Sequence, residues 1–446
     1  MSKSKAFRLA AIAAVIAGPL TAAMATNGMN MEGYGPISSG MGGASQAIDN
    51  GNAAMAQNPA TLSLMQAGSR LDVAVGFLGP KVSSAAGPMV ADSGGTSYMM
   101  PAVGFTRRDG AMTYGVGMFA QGGMGTEYGA NSFMGGPGAA RSELGVGKII
   151  LPLSYQVNSN LAVGGAIDLM WAGLDVMMNM PTAQALGMMS NPKGAFASPQ
   201  MMGALQASNY LRLDFSDGDK NSGAAKATGY SAKLGAVYKV SSTMTIGGSY
   251  QFKSSLNDMK TAVGSARMSS DAVVDAQGNR FSDAGTLTVM NFQWPSITSI
   301  GASWQTSPSV TVAADLKSIG WADVMKNFSM RYEASGGMGS ADLTLPQNWK
   351  DQTVVSLGVA FKANDALTLR AGVNLANNPI PDATVNPLFP ATVKDHVTAG
   401  LGYRVSKNGD FNMSLAHAPK GTVTSGQGVA ISHEQTNWQF MYTHRY

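Results

Sequence analysis

Apolar and polar residues alternate one by one along several stretches of this chain. Over residues 230–240, Tyr230, Ala232, Leu234, Ala236, Tyr238 and Val240 form an apolar set against Ser231, Lys233, Gly235 and Lys239. Residues 367–375 set Leu367, Leu369, Ala371, Val373 and Leu375 against Thr368, Arg370, Gly372 and Asn374. Val397, Ala399, Leu401, Tyr403 and Val405 repeat the pattern, and the last stretch opposes Trp438, Phe440, Tyr442, His444 and Tyr446 to Asn437, Gln439 and Thr443. A period of two belongs to a strand, whereas a helix repeats every ~3.6 residues. About fourteen such segments of roughly 10 residues follow residue 68, the length at which a tilted strand crosses a bilayer.

The connections between these segments sort by length. Short ones fall at 107–111, 157–160, 239–243, 306–309, 362–366 and 406–410. Long ones fall at 78–96, 122–143, 177–226, 254–284, 333–351, 377–394 and 419–430, so single strands are expected across 285–305 and 310–332. Alternating tight turns and long loops is the habit of outer-membrane barrels, with the turns on the periplasmic side. No second sheet or helical layer is available to cover so many apolar faces. The apolar face is therefore assigned to lipid and the polar face to a lumen. Tyr155, Trp171, Tyr238, Phe252, Trp304, Tyr403 and Tyr442 at strand ends fit interfacial aromatic girdles. The expected fold is all-β, a transmembrane antiparallel up-and-down β-barrel of about 14 strands over residues 69–446.

The N-terminus supplies the route to that membrane. Lys3, Lys5 and Arg8 precede an apolar run over residues 9–20, and Ala23-Met24-Ala25 is a small-x-small cleavage site, so residues 1–25 read as a signal peptide. Loss of its three cations takes the net charge from +4 to about +1, so the basic balance is a targeting feature and nucleic acid is not an expected partner. No run of apolar residues is long enough for a spanning helix. Charged residues make up only 13% of the chain, against about 25% in soluble domains, which suits a lipid-facing exterior. The absence of cysteine removes thiolate metal sites, thiol nucleophiles and disulfides. His396, His417, His433 and His444 are scattered, and no Ser/His/Asp set gathers on one strand end. Asp217-x-Asp219-x-Asn221 begins like a calcium loop, but Ser222 and Thr228 stand where that loop needs Gly and Glu. No enzyme activity, metal or cofactor is expected.

Residues 26–68 fall outside the strand rhythm and are rich in Gly, Asn, Ala and Met. A segment of this size ahead of the first strand is either a tail or a plug within the barrel. Here Gly40-Met41-Gly42-Gly43-Ala44, Asp49-Asn50 and Asn58-Pro59-Ala60 together resemble the plug of the long-chain fatty acid and hydrocarbon transporters typified by FadL. The likeness continues in order through Ser154-Tyr155-Gln156-Val157, Gly320-Trp321, Asn348-Trp349-Lys350-Asp351, Asn378-Pro379-Ile380-Pro381-Asp382 and Gly400-Leu401-Gly402-Tyr403. The resemblance implies a fourteen-stranded barrel plugged by residues 26–68, with Asn58, Pro59 and Ala60 as a plug motif. It also implies capture of apolar molecules at outer loops, a lumenal pocket, and lateral release at a kink in the third strand, here residues 111–121. That strand carries Gly115 and Gly117, then Gly122 and Gly123, and glycine weakens a strand locally. The family function implied is passive uptake of hydrophobic small molecules, long-chain fatty acids or aromatic hydrocarbons.

Candidate ligand contacts follow from parity and composition. Leu144, Val146 and Ile150 share the lumenal side with Lys148, an apolar patch beside a cation. Arg370 and Lys317 are further lumenal cations. The outer loops carry Met124, Phe133, Met188, Met189, Met201 and Met202, soft side chains that either bind ligand or pack as a cap. Expected partners are a hydrophobic small molecule, outer-membrane lipid and lipopolysaccharide, and the barrel-assembly machinery through the closing strand that ends in Tyr446; the protein is expected to be a monomer. The rival readings are a porin-like channel for polar solutes and an outer-membrane hydrolase or adhesin.

Overall fold

Period-two segments become strands in the computed structural model, which describes residues 27–219 and 222–446; the expected signal peptide lies outside them. The wall opens with β1 (Gly68–Ala86), a short β2 (Met89–Asp92), β3 (Tyr98–Asp109), β4 (Met112–Tyr128), β5 (Ala140–Gln156) and β6 (Leu161–Pro181). The next connection carries β7 (Met189–Gly194) and β8 (Tyr210–Phe215), with helices at Thr182–Met188 and Pro199–Gln206. β9 (Ala225–Lys239) and β10 (Met244–Gln251) return to the wall. They are followed at the outer rim by β11 (Ser255–Leu256), β12 (Met259–Lys260), β13 (Ala266–Val273) and β14 (Arg280–Met290). After β15 (Ile297–Ser307) and β16 (Val310–Ile319) come the rim strands β17 (Asn327–Ala334) and β18 (Gly339–Pro346). β19 (Gln352–Lys362), β20 (Leu367–Ala376), β21 (His396–Arg404), β22 (Gly409–Thr424) and β23 (Ala430–Arg445) complete the order. β23 pairs with β1 from Arg445↔Arg70 to Ala430↔Ala85, so the sheet closes on itself. Closure is what a membrane requires, because lipid offers no partner to an open edge.

The strand count departs from expectation. The closed barrel has 18 strands rather than about 14. The difference lies at the outer rim, where β8, β13, β14 and β12 pair in succession between β6 and β9. Below the rim, β6 and β9 pair with each other directly, from Leu161↔Tyr238 to Leu174↔Ala225. Two expected single strands are also broken in two. Asn291, in left-handed backbone at φ 57°, and Pro295 separate β14 from β15, while Gly320 and the helical turn Trp321–Val324 separate β16 from β17. A left-handed residue and a proline both interrupt a ladder.

Burial is inverted relative to a soluble protein. Outward positions expose Tyr230 (61%), Leu234 (57%), Trp304 (57%) and Leu153 (49%), whereas Ser231, Lys233, Ser154 and Asn437 are buried inside. No described helix is long and apolar enough to cross a membrane, so crossing falls to the strands. The interior is filled by residues 27–65, which are nearly all buried. This segment contacts the wall all around. Asn52 bonds to the carbonyls of Arg70 and Gly104, Ser45 N–H to Asp315, Asn58 to the Ala236 carbonyl, and Gly42 N–H to Thr398. Gly104 is what lets Asn52 reach the wall, since a Cβ there would stand 2.7 Å from Asn52 Cβ.

Candidate functional site

Above this segment, in the outer half of the lumen, lies a cavity of 440 Å³. Its base is the stretch Gly28–Glu32 of the N-terminal segment, and Pro390 and Ala391 line it from the connection between β20 and β21. The wall contributes Met99, Met100, Met118, Phe119, Met124, Leu144, Val146 and Trp171. Such a lining is soft and largely apolar, the surface that thioethers and aromatic rings give a site for hydrocarbon. Among the described lining residues, Glu32 and Glu143 are acidic and none is Lys or Arg.

The same cavity reaches an interruption of the wall. β3 and β4 pair from Asp109↔Met112 up to Val103↔Met118 and no further. Yet β3 continues along β1 to Tyr98, and β4 continues along β5 to Tyr128. Two features of the sequence stop the ladder. Pro101 has no N–H to donate, and the β4–β5 register shifts between Ala120 and Gly122, which marks a bulge. Gly122, at φ 154°, forms a bridge with Asn30, and a Cβ there would lie 2.1 Å from the Met29 carbonyl. Residues on both sides of the interruption, Met100, Pro101, Phe119 and Ala120, line the cavity and also a smaller void of 40 Å³ beside it.

The N-terminal stretch is locked to the wall at this point. Asn30 Oδ1 accepts from Gln121 Nε2 and from Trp294 Nε1, both at 2.9 Å. Trp294 packs edge-on against Trp321, which packs against Trp349, at 5.7 and 5.2 Å between ring centroids. Gly28 lies against the Trp321 ring so closely that any Cβ would clash at 2.8 Å. Burial pushes the Glu32 carboxyl above the usual carboxylate range, and the hydrogen bond from Asn437 and the charge of Lys317 only partly offset it. Tyr34 is also raised by burial, with Asp168 and Glu32 adding to the effect.

The expected site residues divide among several places. Met124, Leu144, Val146, Gly122 and Gly123 line the cavity. Gly115 and Gly117 lie lower, in the paired part of β4, opposite Thr106 and Gly104. Ile150 is fully buried against Met55 of the N-terminal segment. Lys148 faces neither cavity nor solvent. It is buried, 3.1 Å from Asp168 Oδ2 and 5.6 Å from the centre of the Tyr34 ring, and Lys233 lies 3.8 Å from the same carboxylate. Arg370 donates to Asn412 at 3.1 Å, and Lys317 lies within electrostatic reach of Glu32 and Asp315. Phe133, Met188, Met189 and Met201 pack on the large outer core, whose centre is Phe196 edge-on to Phe281 and Tyr332 at 6.1 and 6.3 Å. Met202 is half-buried on the same helix as Met201. Asn58 accepts from Ala60 N–H and starts the turn that Pro59 fixes, and Gly164 and Gly235 pack against that turn. Asn30, Trp294, Trp321 and Pro101 are the residues that reading by strand parity missed. Of these, Pro101 within an otherwise alternating strand and Trp321 within the Gly320-Trp321 likeness carried a signal.

Comparison with known proteins places this geometry in a wider set. Residues 12–444 match the family model of outer membrane protein transport proteins (OMPP1/FadL/TodX). The toluene transporter TodX of Pseudomonas putida is similar in structure, with 30% identity, a TM-score of 0.82, and coverage of 93% of this chain and 99% of that one. The toluene transporter TbuX of Ralstonia pickettii shares 28% identity at a TM-score of 0.75, over 93% of this chain and 99% of that one. An uncharacterized Chlorobium limicola protein, encoded 5′ of a phosphoenolpyruvate carboxykinase gene, is 46% identical over 74 residues, which are 16% of this chain and 36% of that protein.

Proposed function

The chain belongs to the OMPP1/FadL/TodX family of outer-membrane transport proteins, and on that premise we propose that it is a passive channel for uncharged hydrophobic small molecules. One observation carries the reading: the methionine-rich cavity reaches the wall where the β3–β4 ladder stops at Val103↔Met118. An apolar molecule held there sits beside an exit at membrane depth. It has no need to cross the polar lumen below, and residues 27–65 act as a plug against straight passage. The similar TodX and TbuX are toluene transporters, which supports a hydrocarbon of that size. A carboxylate finds no Lys or Arg in the described lining, and Glu143 there is already paired with Arg141 at 2.7 Å. Lys148 is committed to Asp168 and cannot serve a head group without breaking a buried pair.

The outer cap, built on Phe196, Met188, Met189 and Met201, is the capture surface in this scheme. Phe133 and Met202 flank it, and Met124 leads inward. Transport follows the gradient of the ligand, and its partners are the ligand and the surrounding lipid and lipopolysaccharide. The closing strand that carries Tyr446 is offered to the assembly machinery, and the protein works as a monomer. Uptake of radiolabelled toluene at low external concentration tests the scheme. Cells lacking the protein are expected to take it up several-fold more slowly, and unchanged uptake of toluene, phenols and long-chain fatty acids alike contradicts it.

A further inference from the structure

The cavity does not end inside the barrel. Along β5 the side chains of Leu144 and Val146 are buried toward the lumen, while Gly145, Ile149 and Leu151 are exposed on the lipid face. By the same parity Leu169 and Trp171 of β6 face lipid, and Trp171 is 40% exposed. Yet Gly145 and Trp171 line the cavity together with Leu144 and Val146. So do Met99 and Met118, exposed at the two edges of the β3–β4 interruption. The cavity therefore passes through the interruption and continues across the outside of β4 onto β5 and β6.

The sequence clears a path for it there. Two cross-strand rows on the lipid face carry almost no side chain, Ala120↔Gly147↔Trp171 and, nearer the rim, Gly123↔Gly145↔Gly173. The Trp171 ring folds back over Gly147 and leaves no room for a Cβ, and the Ser222 carbonyl covers Gly173 in the same way. Gly145 between them is uncovered: a Cβ there would meet no atom within 4 Å. The result is a furrow floored by backbone at Gly123 and Gly145, with Trp171 along one side and the Ser222-Gly223 turn at its end. Along β5 the next obstacles are Glu143 toward the rim and the Trp171 ring toward the bilayer centre. Each stands two residues from Gly145, about 7 Å, which leaves room for a single flat ring.

Taking the cavity as the ligand site proposed above, we infer that this furrow is a second, external site, where an uncharged single-ring hydrocarbon rests against Trp171 after passing the wall. Its floor is bare backbone and its side is an indole, so an aromatic ring gains a ring–ring contact there. Glu143 at the upper edge is paired with Arg141 at 2.7 Å, so no free charge opposes an apolar occupant. Continuity with the lumenal cavity assigns the furrow to the transported molecule rather than to a lipid chain.

Crystals of the full chain soaked in iodobenzene read the site through the anomalous signal of iodine. Peaks are expected in the lumenal cavity and over Gly145, in contact with the Trp171 ring. Gly145→Leu fills the furrow, and its added side chain enters open space on the lipid face. Cells carrying that variant are expected to take up toluene about fivefold more slowly, the worth of one aromatic contact, while the lumenal iodine peak stays. Should Gly145→Leu fail to fold, the wild-type crystals decide alone. A lumenal peak with none over Gly145, or lipid-like density there in place of iodine, overturns the furrow and leaves the channel reading intact. Toluene uptake at the wild-type rate through a folded, heat-modifiable Gly145→Leu barrel does the same. No iodine at either place, with wild-type uptake no faster than in cells lacking the protein, overturns both.

Discussion

Asn52→Ala probes how the N-terminal segment is held. The Asn52 side chain is fully buried and makes four hydrogen bonds. Its amide donates to the carbonyls of Gly104 (2.6 Å) and Arg70 (3.1 Å), and its oxygen accepts from Arg70 Nε (3.1 Å) and Thr106 Oγ1 (2.5 Å). The backbone N–H of Asn52, bonded to Asp72, is untouched by the substitution. Truncation deletes all four side-chain bonds and leaves Thr106 and the Gly104 carbonyl facing a dry gap. At about 1 kcal/mol for each neutral bond and somewhat more for the one from Arg70, discounted for strand carbonyls that keep their ladder partners, the docked state loses roughly 3 kcal/mol. That is about a hundredfold rise in the undocked population. Single-channel recording in planar bilayers reads it directly, because each undocking event opens an aqueous path. The wild type is expected to be almost silent and the variant to show frequent openings. Equal, rare openings in a variant that runs as a folded, heat-modifiable barrel refute the reasoning.

Two further outcomes follow from buried charge. Asp168→Asn leaves Lys148 and Lys233, which are 0% and 2% exposed, without their shared anion, and the barrel is expected to lose about 3–5 kcal/mol, read as a lower temperature of heat modification. Glu32 has its carboxyl raised by burial, so the docked segment holds its proton more tightly than the undocked one. Its stabilising contribution is complete below the usual carboxylate range and is lost as pH rises through the raised value. Channel openings are therefore expected to become more frequent with rising pH, and Glu32→Gln to flatten that dependence; identical pH profiles in the two proteins contradict it.

Much of the wall was legible because a strand with one lipid face and one lumenal face must alternate. Along β5, Ile149, Leu151 and Leu153 are exposed while Val146, Lys148 and Ile150 are buried, as parity required. The rim was not legible. Tyr210–Phe215 buries Leu211, Leu213 and Phe215 in alternation, but at this length the pattern also suits a loop, and its partner β13 is far away in sequence. Reading such strands as loop is what made the expected count too low. The chemistry of the lumen was partly hidden for another reason. Parity tells which side Lys148 and Arg370 face, but it cannot say that Asp168 and Asn412 already occupy them. Nor does periodicity reveal that Asn30 and Trp294 meet, since that contact joins an irregular segment to a break between two strands.

The central claim is lateral release between β3 and β4, and the absence of native cysteine allows one clean measurement. Ala102 and Phe119 would be the next opposed pair beyond Val103↔Met118 if the ladder continued. Opposed residues in a ladder stand about 4.5–5.5 Å apart at Cα, within disulfide range. An Ala102→Cys, Phe119→Cys double variant can thus be locked shut by oxidation and reopened by reduction. Lateral release predicts that toluene uptake falls to the level of cells lacking the protein when the bond forms and recovers on reduction. Uptake at the wild-type rate with the bond fully formed contradicts it.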